Sequence, residues 1–233
     1  MKPDLEKSST DLVKCHNEII SRGGHRQRLE RRSLYISRGE MKPRHKLLVI
    51  TCTNPLVVFE GLKPGDLELY RNTGVVVRED DPSLAAALCA FLGHREIRKN
   101  RHIALCLEYP DGLNQFIMDG RINGFPELLS WSELEKPIIQ RAVEDWKSGR
   151  HPIRFKGNPK TFSPDALDHL SMPIWRAFWR DLTIRLVRER MKRISRFPII
   201  KDQLDSILIH GWIYDAQTGV IDIVPPLTKE SGS

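Results

Sequence analysis

Lys46-Leu-Leu-Val-Ile-Thr-Cys52 decides the architecture. An uninterrupted apolar run of this length, with β-branched residues and no polar alternation, predicts a strand over 46–51 that is buried on both faces, as in a parallel sheet. Pro64-Gly-Asp66 follows as a turn, and Leu67–Tyr70 as a second short strand ahead of Arg71-Asn72. Ser83-Leu-Ala-Ala-Ala-Leu-Cys-Ala-Phe-Leu92 reads as a helix, with Ser83 as its cap and Gly93 as its stop. His102–Leu107 is another buried strand, running into the loop Glu108-Tyr-Pro-Asp111-Gly112. Strand, helix and strand in this order predict a parallel crossover unit, whose strand ends are where a ligand site is expected.

Beyond this unit the pattern loosens. Pro126, Pro137, Pro152, Pro159 and Pro164 punctuate short helices, one of them expected over 131–147. Trp175, Trp179, Leu182, Leu186 and Ile194 fall on one helical stripe, which reads as core packing rather than a ligand box. Ser206–Asp215 predicts a strand, Ala216-Gln-Thr-Gly219 a tight turn, and Val220–Val224 the returning strand of a hairpin. Residues 1–45 form a polar, basic helical arm broken at Gly23-Gly24, with too thin an apolar stripe to stand alone. Residues 46–224 form one α/β domain, and 225–233 a tail expected to be disordered.

With 233 residues, 40% hydrophobic and 29% charged, the composition is that of an ordinary globular protein. No apolar stretch has the length of a membrane span, and the N-terminus has no apolar signal core, so the expected location is cytoplasmic. Cys15, Cys52, Cys89 and Cys106 show no C-x-x-C spacing and read as thiols rather than disulfides. The net charge of +7 is concentrated: residues 1–46 hold twelve Lys/Arg against six Asp/Glu, and 175–196 hold eight against Asp181 and Glu189. Basic clusters of this kind track phosphates or serve as solvated helix faces, so nucleic-acid binding is the third and weakest functional class considered.

Several segments, in order, resemble the β-class carbonic anhydrases. Ser83-Leu84, Ala87 and Leu92-Gly93 match the helix signature of that family, and 64–72 its Pro-Gly-Asp strand ending in Arg-Asn. Phe197-Pro198 matches the end of its late helix, and His210-Gly-Trp-Ile-Tyr-Asp215 with Thr218-Gly219 its C-terminal hairpin. The resemblance covers roughly 46–113 and 180–224. It implies a β-carbonic-anhydrase-like α/β fold: a central, mostly parallel sheet flanked by helices, an N-terminal arm that embraces a partner, and a C-terminal hairpin. His210 is structural in that hairpin.

The resemblance fails where the family does its chemistry. A family zinc site takes two cysteines and a histidine, with an Asp-x-Arg pair orienting the metal-bound water. Here Cys52 matches the first ligand, while Glu108 stands at the histidine position and Asp111 at the second cysteine. Asn54 and Leu56 occupy the Asp-Arg positions, in an interval about three residues shorter than usual. One thiolate with two carboxylates suits magnesium, calcium or manganese better than zinc. His45, His94 and His102 lack ligand spacing with Cys52.

The leading expectation is therefore a β-carbonic-anhydrase-like protein without the zinc site, no cofactor and no carbon dioxide hydration: a dimeric pseudoenzyme scaffold or a binder of small anions or partners. Arg71 is the anion-pocket candidate. The competing expectation is a lyase, a carbonate dehydratase or related hydratase, with a Cys52/Glu108/Asp111 site for zinc or another divalent metal. A homodimer or higher oligomer is expected, with an active paralogue as one partner to test, and no membrane.

Overall fold

Strand β1 (Leu47–Cys52) lies between β2 (Glu68–Asn72) and β3 (Arg101–Tyr109) and runs parallel to both. Leu48, Val49 and Ile50 have no exposed surface, as an all-apolar strand covered on both faces requires. The sheet has the order β2-β1-β3-β4-β5, its far side closed by the antiparallel hairpin of β4 (Ile207–Asp215) and β5 (Ile221–Val224). This computed structural model describes residues 13–14, 17–18, 47–53, 67–93, 101–150 and 172–225. The turn at 64–66, the segment 94–100 and the tail from 226 lie outside them.

Helix α1 (Pro82–Gly93) makes the expected connection between parallel strands. Its cap is not Ser83. Asp81 Oδ1 accepts from the backbone N–H groups of Ser83 and Leu84, at 2.9 and 3.1 Å, and Pro82 takes the first helical position. A carboxylate there also favours the positive end of the helix dipole, so it displaces the serine one turn position inward.

After β3 come α2 (Gly112–Met118), α3 (Pro126–Glu133) and α4 (Lys136–Lys147). The single helix expected over 131–147 is thus two, broken at Leu134-Glu135. Pro137 has no N–H to continue the ladder, so the chain restarts there, with Ile138 and Ile139 bonding back to the Glu135 carbonyl. A long helix, α5 (Met172–Arg196), and a short one, α6 (Pro198–Lys201), lead back to β4.

The chain divides into two compact units, 1–108 with 187–233, and 109–186. In the second, Trp146 donates its indole N–H to Asp181 at 2.9 Å and meets the Phe178 ring edge-on. Arg185 bridges Asp181 and Asp145 at 3.0 and 2.7 Å. Trp179, Leu182 and Leu186 are buried, so the apolar stripe of α5 is core, as its spacing predicts. Among the described residues no helix is long and apolar enough to cross a membrane.

In the first unit, the β4–β5 turn closes on Asp215, whose side chain accepts from the N–H groups of Gln217 and Thr218, while Gly219 takes the left-handed φ of 73°. The unit's core joins Leu47, Val49, Ala104, Cys106, Trp212, Tyr214 and Ile221 to Val13 of the N-terminal arm. The rest of the arm lies almost wholly outside the described residues, and with it the expected partner embrace. Gly211 faces α5: a Cβ there would stand 2.7 Å from Met191 Sδ and closer still to Val187 Cγ1. Helix and strand approach until only glycine fits. Gly211→Ala is expected to cost about 2 kcal/mol by forced overpacking, read as a lower denaturant midpoint at unchanged slope.

Candidate functional site

The ends of β1, β2 and β3 carry the residues that the sequence singles out. Register places Arg71, Thr51 and Cys106 side by side across the three strands. Side chains alternate along a strand, so Leu47, Val49, Thr51, Ala104, Cys106 and Glu108 share one face of the sheet, while Leu48, Ile50 and Cys52 point to the other. Burial pushes the Cys106 thiol far above its usual range; Thr51 and Arg71 oppose the shift, and Glu108 adds to it. Cys106 is a core thiol and no nucleophile.

Glu108 is not a loop residue. β3 runs on through Tyr109, and Glu108 is only 5% exposed. Its extension follows from the sequence Leu107-Glu108-Tyr109, where alternation carries the ladder one turn past the apolar run. Cys52 ends β1 half-buried, and its backbone carbonyl accepts from Arg71 Nη1 at 2.9 Å. That bond ties the proposed anion-binding guanidinium to the strand end, with one of its donors already engaged. Asn72 secures the following turn, donating to the Val76 carbonyl at 2.8 Å.

Asp111 closes the turn that follows β3. It is the N-cap of α2: Oδ1 accepts from Leu113 N–H at 3.0 Å, and Oδ2 accepts from the amide of fully buried Asn114 at 2.6 Å. Both carboxylate oxygens are engaged by the chain itself. Among the described residues, no three His, Cys, Asp or Glu side chains stand together as a metal-ligating group. Cys52 and Glu108 lie at the ends of neighbouring strands, and Asp111 caps the helix after β3. One thiol and two carboxylates form a harder donor set than the thiolate and imidazole ligands typical of zinc. Asn54 and Leu56 lie outside the described residues.

Solved structures place this arrangement. One of two tetrameric β-carbonic anhydrases from Sordaria macrospora superposes with a TM-score of 0.60 at 18% identity, over 95% of this chain and all of the other. CafA of Aspergillus fumigatus gives 0.58 at 18%, over 89% and 85%. The chain has the β-carbonic anhydrase fold. The Coccomyxa β-carbonic anhydrase in complex with acetazolamide gives 0.56 at 18%, over 89% and 85%. No protein-family model matches the sequence, and no curated protein matches it either. The β-carbonic anhydrase fold is thus retained at an identity that fixes architecture and leaves chemistry open.

Sequence reasoning missed one pair on this fold. His102 of β3 and His210 of β4 approach to 2.9 Å, Nδ1 to Nε2, with ring centroids 5.1 Å apart and planes 13° from parallel. A nitrogen separation that short at that centroid distance means rings lying edge to edge and sharing one proton, rather than face to face. The residues are 108 positions apart, so no local signal pairs them. Burial, then the charge of His102, lowers the His210 pKa to about 4. Tyr70, whose hydroxyl donates to Asp81 at 3.2 Å, is pushed up to about 12 by burial and that carboxylate.

Two outcomes follow for this region. Asp111→Ala is expected to lose about 1–2 kcal/mol of stability, and Asp111→Asn less, while a chelator leaves the wild-type unfolding midpoint unchanged. His210 binds its proton in the unfolded chain near pH 6.5 and in the folded chain only near 4. Stability therefore rises between pH 4 and 6.5, by on the order of 2 kcal/mol, and is flat above. Denaturation across this range, with His210→Gln flattening the slope, checks it.

Proposed function

We propose that this protein is a non-catalytic member of the β-carbonic anhydrase fold, working as an oligomeric scaffold or partner-binding protein without the zinc-hydroxide chemistry. One observation carries it: Asp111, at the position of a metal ligand, caps α2 through Oδ1 and accepts the Asn114 side-chain amide at Oδ2. Self-association is part of the proposal, supported by the tetrameric Sordaria macrospora protein of the same fold. The described cysteines, Cys52, Cys89 and Cys106, are free thiols, which suits the reducing cytoplasm proposed for it.

The competing lyase has one observation on its side, the buried carboxylate of Glu108 at the end of β3. Elemental analysis of protein purified with added zinc, together with a carbon dioxide hydration assay, separates the two. The scaffold predicts less than a tenth of a metal per chain and no hydration above background, by the order of magnitude a missing site implies. It also predicts that Cys52→Ser leaves oligomeric state and unfolding midpoint unchanged. One metal per chain, lost on Cys52→Ser or Asp111→Asn, would overturn it.

A further inference from the structure

Among the described residues, the side chain of Asn17 meets the β5 edge of the sheet. Asn17 Nδ2 donates to the Ile221 carbonyl and Asn17 Oδ1 accepts from the Ile221 N–H, both at 2.8 Å. An amide offering one donor and one acceptor in this way takes the position that a neighbouring strand would take. Ile221 lies opposite Tyr214, and Ile223 opposite Trp212, so the backbone groups of Ile221 and Ile223 point alike, away from β4. Four residues before Asn17, Val13 is buried in the core cluster with Ile221, Trp212 and Tyr214. Two residues of the arm thus grip the same strand of their own chain, one by apolar packing and one by paired hydrogen bonds.

We propose that Asn17 is an edge clip, which anchors the N-terminal arm in cis and closes β5 to strand addition by a second copy of this chain. An uncovered edge of unpaired N–H and C=O groups is a template for another strand. β5 is short and apolar, Ile221-Asp-Ile-Val224, and Ile223 is 41% exposed beside the clip. Identical strands pairing antiparallel about a two-fold axis are self-complementary, so the occupant of a freed edge is the β5 of a second copy. The clip does not depend on whether the protein is a scaffold or an enzyme.

Hydrogen exchange and sedimentation test the clip. In the wild type the Ile221 amide is expected to exchange as slowly as the Tyr214 core amide; exchange at the rate of an unstructured peptide overturns the clip without any variant. Asn17→Leu keeps the bulk and removes both bonds, and is expected to speed Ile221 exchange about ten- to a hundredfold. It is also expected to produce a larger, concentration-dependent species, which Ile223→Lys added to it suppresses. Unchanged Ile221 exchange in Asn17→Leu overturns the clip. A faster exchange with unchanged mass overturns the closure against a second copy, whatever the metal content.

Discussion

The alternation of β1 is the constraint on which the site depends. A strand flanked in parallel on both sides and covered on both faces has no freedom to slip, since a shift of one residue would exchange every side chain between faces. Leu48 and Ile50 are fixed on one side by that rule, and Leu47, Val49 and Thr51 on the other. Cys52 inherits its face from them, and Glu108 inherits the opposite one through the register of Thr51 with Cys106. What the strand ends can do together is settled by packing several residues upstream.

Capping supplies the second layer of organisation. Each connection from a strand end into α1 or α2 is closed by an aspartate, Asp81 or Asp111, that takes the orphan N–H groups of the helix start. The two differ in surroundings. Asp81 also receives the Tyr70 hydroxyl in a partly exposed setting, whereas Asp111 is 3% exposed and shares its carboxylate with buried Asn114. A buried carboxylate is tolerable only with such partners.

Much of the fold was legible because its signals are local. The apolar runs at 47–52 and 103–107, the helix at 82–93 and the hairpin around Gly219 each carry their period and punctuation within a dozen residues. Errors came where a local rule had a competitor two or three residues away. Asp81 outranked Ser83 as a cap, Pro137 split a helix that its apolar content joins, and β3 outlasted its apolar run to take in Glu108. The site was less legible. Alignment could place Glu108 and Asp111 at ligand positions, but only the structure shows that β3 runs through the first and that the second caps α2. The His102–His210 and Asn17–Ile221 contacts join residues 108 and 204 positions apart, beyond the reach of any periodicity.

The residues at these three positions also differ in what each demands of its surroundings. A thiol is a small, weakly polar group that packs as a hydrophobe, so Cys52 can stand at a half-buried strand end at little cost. A buried aspartate needs donors, and Leu113 N–H and the Asn114 amide are two of them, within three residues. Glu108 is buried where its charge and that of Arg71 act in opposite senses on the Cys106 thiol. The cysteine is thus the least demanding of the three. Of the two carboxylates, Asp111 is held at a helix start and Glu108 at a buried strand end.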